Sequence, residues 1–180
     1  MKNNINNFYK IPFWFTKKIV LFISNFNHPL YMKLYIPLLK KRGLDISGTP
    51  IYIGSTTTFD SKDYSIIHIS DKVVISGDVR FLTHDYSLSR GFAALGIDLE
   101  KEVYTLRDIY VGENCFIGTK SIIMPGTRIG KNCIVGAGSV VRGTIPDNSI
   151  VIGNPAQVIG NTLEWAKRKK EKGDYFTNKN

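Results

Sequence analysis

From Val111 to Pro146 the apolar positions recur every sixth residue. In sixes the chain reads VGENCF, IGTKSI, IMPGTR, IGKNCI, VGAGSV, VRGTIP, with an aliphatic residue at Val111, Ile117, Ile123, Ile129, Val135 and Val141. Glycine follows it in four of the six units. Four residues after it sits a small residue (Cys115, Ser121, Thr127, Cys133, Ser139), and only Ile145 in the sixth unit breaks that rule. A period of six fits neither a helix at 3.6 residues per turn nor a single strand at 2. It fits short strands with a turn every sixth residue, as in a parallel β-helix. The aliphatic residue then fills a prism interior, the small residue leaves room beside it, and the glycine is expected to allow the tight turn.

Earlier in the chain the period is looser. Ile53-Gly54 opens a unit and Phe59 follows six later. The phase breaks around 61–65 and resumes at Ile69, Ile75 and Phe81, with Val73 and Val79 in the small interior slots. Residues 87–107 (SLSRGFAALGIDLEKEVYTLR) leave the period and predict a loop thrown out of the helix before Ile109 re-enters it. A long excursion inside a compact domain usually serves function; covering a substrate and contacting a neighbouring subunit are both open. Residues 1–7 are Asn-rich and expected to fray. Helical patterning runs from Tyr9 to Arg42, interrupted at Asn27-His28-Pro29, with a second helix from Tyr31 to Lys41 and Gly43 as stop signal. Thr162 is expected to cap a last helix, LEWAKRKKEK, ended by Gly173, with 174–180 loose. The predicted organisation is an N-terminal helical cap over 1–48, a β-helix over 49–160 and a C-terminal helix and tail over 161–180.

This hexapeptide stretch resembles the hexapeptide-repeat acyltransferases, and within them the O-acetyltransferases of sugars and polysaccharides. The resemblance covers roughly residues 50–160. It implies an all-β fold, a left-handed parallel β-helix with three hexapeptides per coil flanked by short helices. The handedness comes from the resemblance alone, since the usual crossover rule points the other way.

Charge sharpens this picture. The net charge of +9 is uneven: residues 1–45 hold eight Lys/Arg and one Asp, 46–160 hold ten against eleven, and 161–180 hold six against three. A neutral repeat region with basic flanks does not resemble a nucleic-acid footprint, so no nucleic-acid partner is expected. Basic flanks suit a phosphorylated co-substrate, an anionic lipid surface, or simply solubility. Phe8, Tyr9, Phe13, Trp14 and Phe15 add aromatic character to the basic N-terminus. That composition fits either a packed cap or a helix lying at the inner face of a membrane. The apolar run IPFWFTKKIVLFI is split by Lys17 and Lys18, too short and too charged to span a bilayer. With no secretory signal evident, a cytoplasmic, reduced protein is expected. Cys115 and Cys133 lie one coil apart and are expected as buried thiols about 4.8 Å apart in one interior column.

Of the three histidines, His28 reads as a surface or packing residue. His68 precedes Ile69 in a strand and projects outward. His84, in FLTHDYS, also projects outward, immediately before the excursion. A lone histidine in a turn is usually a surface group, but THD followed by a loop and regular repeats resembles the family's active-site strand. The resemblance makes His84 the general base, since an acceptor hydroxyl needs proton removal as its bond to an acyl carbon forms. Asp85 either orients the imidazole or shapes the turn through its own backbone. Tyr86 and Arg90 are the implied acceptor contacts.

The same resemblance implies acetyl-CoA as co-substrate, no metal, and a homotrimer whose clefts between prisms hold CoA. The matching positions are Phe116, Gly118, Thr119, Gly136, Ala137, Arg142 and the turn holding Asn154 and Pro155, with a backbone N–H near Thr119 for the oxyanion. Phe116 stands where relatives often carry Trp. Gln157 and Gly160 bear no charge where the family has a cation, so Arg142, Lys167, Arg168 and Lys169 become the phosphate candidates. A metal-dependent hydratase of the same fold needs three histidine ligands, and the repeat region has two. A β-helix scaffold would need neither THD nor GNPA. An N-acetyltransferase of an amino-sugar nucleotide and an antibiotic acetyltransferase stay open beside the sugar O-acetyltransferase.

Overall fold

The computed structural model describes residues 13–60 and 64–177. The expected fraying of 1–7 and the break in phase at 61–63 lie outside the described residues. The chain divides into two compact units, one ending at Lys41 and one beginning at Arg42.

The first unit is a helical pair. Helix α1 spans Phe13–Ile23 and α2 spans His28–Lys40. The second helix begins three residues earlier than its pattern suggests because Asn27 caps it: the Asn27 side chain accepts the Leu30 N–H at 3.0 Å, and Pro29 sits in the first turn where no intrahelical N–H is needed. Tyr31 and Tyr35, one turn apart, are fully buried and stacked at 5.0 Å. Among the described residues no helix is long and apolar enough to cross a membrane.

The second unit is the β-helix, with three parallel sheets as its faces. The first face stacks Asp45–Ile46, Ile67–Ile69, Ile109–Val111, Arg128–Ile129 and Thr144–Ile145. The second stacks Tyr52–Ile53, Val74–Ile75, Phe116–Ile117, Ile134–Val135 and Ser149–Gly153, closed by the antiparallel strand Ala156–Asn161. The third stacks Thr58–Phe59, Arg80–Phe81, Ile122–Ile123 and Val140–Val141. Because Asp45–Ile46 already pairs with His68–Ile69, the first coil starts ahead of the expected boundary at 48.

Each interior aliphatic residue of the repeat is buried, and so are the small residues Cys115, Ser121, Thr127, Cys133 and Ser139. Full burial of each aliphatic side chain contributes on the order of 1.5–3 kcal/mol. The coil shortens once: Ile145 stacks on Ile129 instead of falling two residues later, which is why it breaks the small-residue rule. Both cysteines are free and buried, their Sγ atoms near the carbonyl oxygens of Gly130 (2.9 Å) and Pro146 (3.1 Å).

The glycine after each aliphatic residue has a different job from the one its position suggests. The left-handed turn residue comes two places later, at Asn114, Lys120, Gly126, Asn132 and Gly138, all with positive φ. The asparagines form a ladder down this edge, Asn114 Nδ2 donating to Asn132 Oδ1 and Asn132 Nδ2 to Asn148 Oδ1, each at 2.9 Å. Gly118 is required by close approach: a Cβ there would lie 2.5 Å from the Ala137 backbone nitrogen in the next coil.

The final helix, α4 (Thr162–Lys172), is capped by Asn161 and not by Thr162. The Asn161 side chain accepts the Leu163 and Glu164 N–H groups, and Gly173 closes the helix at φ 64°.

Candidate active site

The excursion leaves from the third face. Asp60, Leu82, Met124 and Arg142 each follow the last residue of a third-face strand; the Asp60, Leu82 and Met124 N–H groups bond the coil above, stacking the four as one corner column. Two residues past Leu82 the chain turns outward as a two-stranded antiparallel ribbon, His84–Asp85 against Thr105–Leu106, with His84 opposite Leu106 and Asp85 opposite Thr105. Between its legs lies more order than a bare loop: helix α3 (Ser87–Ala94) is tied to the returning strand by Ser89, which exchanges 2.8 Å hydrogen bonds with the Val103 backbone. Arg90 forms an ion pair with Glu102 across the excursion, so its guanidinium is already engaged.

His84 is held by an unexpected partner. Its Nδ1 lies 2.9 Å from Asp60 Oδ2, and the same oxygen accepts the Thr83 backbone N–H at 3.1 Å. The acceptor on Nδ1 makes that nitrogen the donor and leaves Nε2 as the lone-pair nitrogen. Of the two roles open to Asp85, the turn is the one it fills: its Oδ1 accepts the Ser87 N–H at 2.8 Å. That N–H, then the Ser87 hydroxyl and the charge of Arg142, hold the Asp85 carboxyl below the usual carboxylate range. The reason is strand geometry. Successive residues of a strand face opposite ways, so His84 and Asp85 emerge on opposite sides of the ribbon.

One side of the ribbon carries His84 with Tyr86 and Tyr104. Their rings meet the imidazole edge-on at centroid distances of 5.3 and 6.2 Å, and each other at 4.8 Å. The other side, with Asp85, Thr105 and Arg107, lines a cleft of about 410 Å³ that is completed by the Pro125–Gly126 turn, Arg142 and Gly143. Among the described residues the Arg107 and Arg142 guanidinium groups make no ion pair.

The other cofactor candidates lie along a different edge. Phe116, 43% exposed, is on the second face. Gly118, Gly136 and Ile152 follow it in one column joined by backbone hydrogen bonds, with Thr119, Ala137 and Gly153 next to them. The Thr119 hydroxyl donates to the Gly77 carbonyl at 2.7 Å. The Asn154–Pro155 peptide, which is cis, forms the hairpin that follows the last strand of this face. Lys167 and Arg168 stand on exposed α4, where Arg168 lies 3.9 Å from Glu164. So a single chain gathers Phe116, Gly118, Thr119, Gly136 and Ala137 into one strip and brings Arg142 to Asp85. It does not bring His84 to that strip.

Asp60 and Tyr104 were not legible as site residues. Counting from Phe59 and Phe81, which stack one coil apart, puts Asp60 beneath Leu82, but the irregular stretch after Asp60 obscures that register. Tyr104 depends on a ribbon pairing across the excursion that no short-range pattern signals.

The geometry agrees with what the chain is similar to. The bacterial transferase hexapeptide pattern of six repeats matches residues 108–143. Protein CapG of Staphylococcus aureus is 35% identical over 153 residues, covering 79% of this chain and 86% of that protein. The chain belongs to the hexapeptide-repeat acyltransferase family. The galactoside O-acetyltransferase of Lactococcus lactis is 34% identical over 131 residues, 72% of this chain and 55% of that longer protein. A solved structure of a galactoside acetyltransferase in complex with coenzyme A superposes with a TM-score of 0.55 at 20% identity, covering 93% of this chain and 86% of that one. The shared fold is the left-handed β-helix. As a hexapeptide-repeat acyltransferase the chain is an enzyme, and His84 is the histidine at the root of its excursion.

Proposed function

We propose that this acyltransferase moves an acetyl group from acetyl-CoA to a hydroxyl of a sugar or polysaccharide precursor, with His84 as general base. The observation that carries the reading is the Asp60–His84 pair: a carboxylate 2.9 Å from Nδ1 leaves Nε2 free to take a proton, in a half-buried position at the root of the excursion. The second-face strip suits an extended thioester co-substrate. Exposed Phe116 offers an apolar contact for its pantetheine, and exposed Thr119 and Ala137, beside Gly118 and Gly136, border the strip along which it would lie. Lys167 and Arg168, with Arg142, are the cations for its phosphates. The co-substrate supplies an activated acyl carbon. His84 removes the acceptor hydroxyl proton as the new C–O bond forms, a backbone N–H at Thr119 steadies the oxyanion, and His84 returns the proton to the thiolate as the C–S bond breaks.

Because one chain keeps His84 off the strip, the complete site is proposed to form between copies, in a homotrimer. Tyr86 is proposed to contact the acceptor, and the N-terminal helices to make peripheral contact with an anionic membrane surface from the cytoplasmic side. The galactoside O-acetyltransferase relative supports a sugar acceptor over an amine. Acetyl-CoA binding by calorimetry, on the wild type and on His84→Ala, tests the reading. Both should bind, while thiol release in the presence of acceptor falls by about 100-fold or more in the variant. Failure of both to bind, or an unchanged rate in the variant, refutes it.

A further inference from the structure

We propose that Tyr104, with Tyr86, forms an aromatic wall that binds the C–H face of a pyranose acceptor and so selects cyclic sugars over other alcohols. This inference rests on the acetyl-transfer reading above and names the substrate class of that same site.

The wall is assembled by the ribbon. Tyr86 lies two residues after His84, and Tyr104 immediately precedes the Thr105–Leu106 strand that pairs with His84–Asp85. The two rings therefore arrive from opposite legs of the excursion and meet at 4.8 Å with planes tilted by 35°. Each is 48% exposed, and Leu106, opposite His84, is 56% exposed. Neither phenol hydroxyl makes a hydrogen bond among the described residues. Buried tyrosines stack to fill space, as Tyr31 and Tyr35 do. These two instead stand about half-exposed beside the proposed base.

That combination has a chemical complement. An aromatic face attracts weakly polarised C–H groups, and a phenol offers a hydrogen bond at its rim. A pyranose presents an apolar C–H face and a ring of hydroxyls. Stacked on this wall, it would set one hydroxyl towards His84 across the 5.3–6.2 Å separating the imidazole from the two rings. An open-chain polyol has the hydroxyls without the face. A flat nucleobase has the face without a hydroxyl to acylate.

The test uses acetyl-CoA with the methyl β-glycosides of glucose, galactose and mannose, and with the hexitols sorbitol and galactitol as open-chain controls; thiol release is followed. The wild type should acetylate at least one glycoside with kcat/KM about tenfold above either hexitol. In Tyr104→Ala the glycoside KM should rise about tenfold, with kcat and the acetyl-CoA KM changed by less than about twofold. Tyr104→Phe keeps the stacking face and should stay within about threefold of wild type, and Tyr86→Leu should behave as Tyr104→Ala does. Wild-type glycoside KM in Tyr104→Ala, an equal loss in Tyr104→Phe, or hexitols used as well as glycosides would overturn the wall while leaving acetyl transfer standing. Acetyl-CoA binding with no transfer to any glycoside would overturn the sugar acceptor itself, and the wall with it.

Discussion

Replacing Asp60 by Asn keeps the side chain's size and removes its charge. Asp60 Oδ2 has two clients, the His84 Nδ1–H at 2.9 Å and the Thr83 N–H at 3.1 Å. An Asn oxygen can serve both, so the variant should keep the imidazole tautomer and lose only the electrostatic support of the charged imidazole formed during proton transfer. A hydrogen bond to a charged group is worth about 1.5–3 kcal/mol, against about 0.5–1.5 for a neutral one. The Asp60 and His84 side chains are 20% and 33% exposed, which favours the low end of that difference. At roughly 1.4 kcal/mol per factor of ten, a loss of about 1 kcal/mol should lower kcat about fivefold, with little change in the acetyl-CoA KM. Asp60→Ala removes the acceptor that both donors share. It should cost about 100-fold in kcat and, by leaving the Thr83 N–H without its partner, about 1–2 kcal/mol of stability. Steady-state thiol release gives the rates, and nitrogen-15 spectra of the histidine ring report whether Nδ1 keeps its proton. Wild-type kcat in both variants would refute the positioning role and leave His84 to act without Asp60.

Asp85→Asn, by contrast, should lower kcat by less than about threefold, because that carboxylate serves the Ser87 turn and not the imidazole; a loss matching Asp60→Ala would reverse the assignment. Gly118→Ala places a methyl group 2.5 Å from the Ala137 nitrogen. Overpacking of this kind costs about 1–3 kcal/mol, so thermal denaturation should show a Tm several degrees lower. The Cys115 thiol is pushed up by its hydrogen bond with Cys133 and by burial. Cys115 in the native protein should therefore resist alkylation at pH 8 by a thiol reagent that modifies it once the chain is unfolded; rapid native labelling of Cys115 would show that the interior column opens.

The repeats made the β-helix legible because its interior is a one-dimensional problem. Every sixth residue meets the same environment, and with the three hexapeptides per coil that the family resemblance implies, the stacking of Ile117 on Val135 or Ile123 on Val141 follows from counting. Burial of the small residue two places before each aliphatic was legible for the same reason. The role of the glycines was not, because close approach between coils and left-handed turn geometry leave the same residue type in the sequence. Only backbone angles separate Gly118 from Gly126. Resemblance to a known family supplied the handedness, which periodicity leaves open.

By itself, then, the sequence determined the six-residue period, the interior positions and the position of His84 at the root of the excursion. It could do so because each depends on spacing along one chain direction. The tertiary structure decided what surrounds that histidine. Asp60 reaches it from the coil below, Tyr104 from the far leg of an excursion, and Asp85 turns away although it is the next residue. Those outcomes depend on strand alternation, ribbon register and stacking across a break in the repeat. Each joins residues distant in sequence, and none leaves a periodic trace in it.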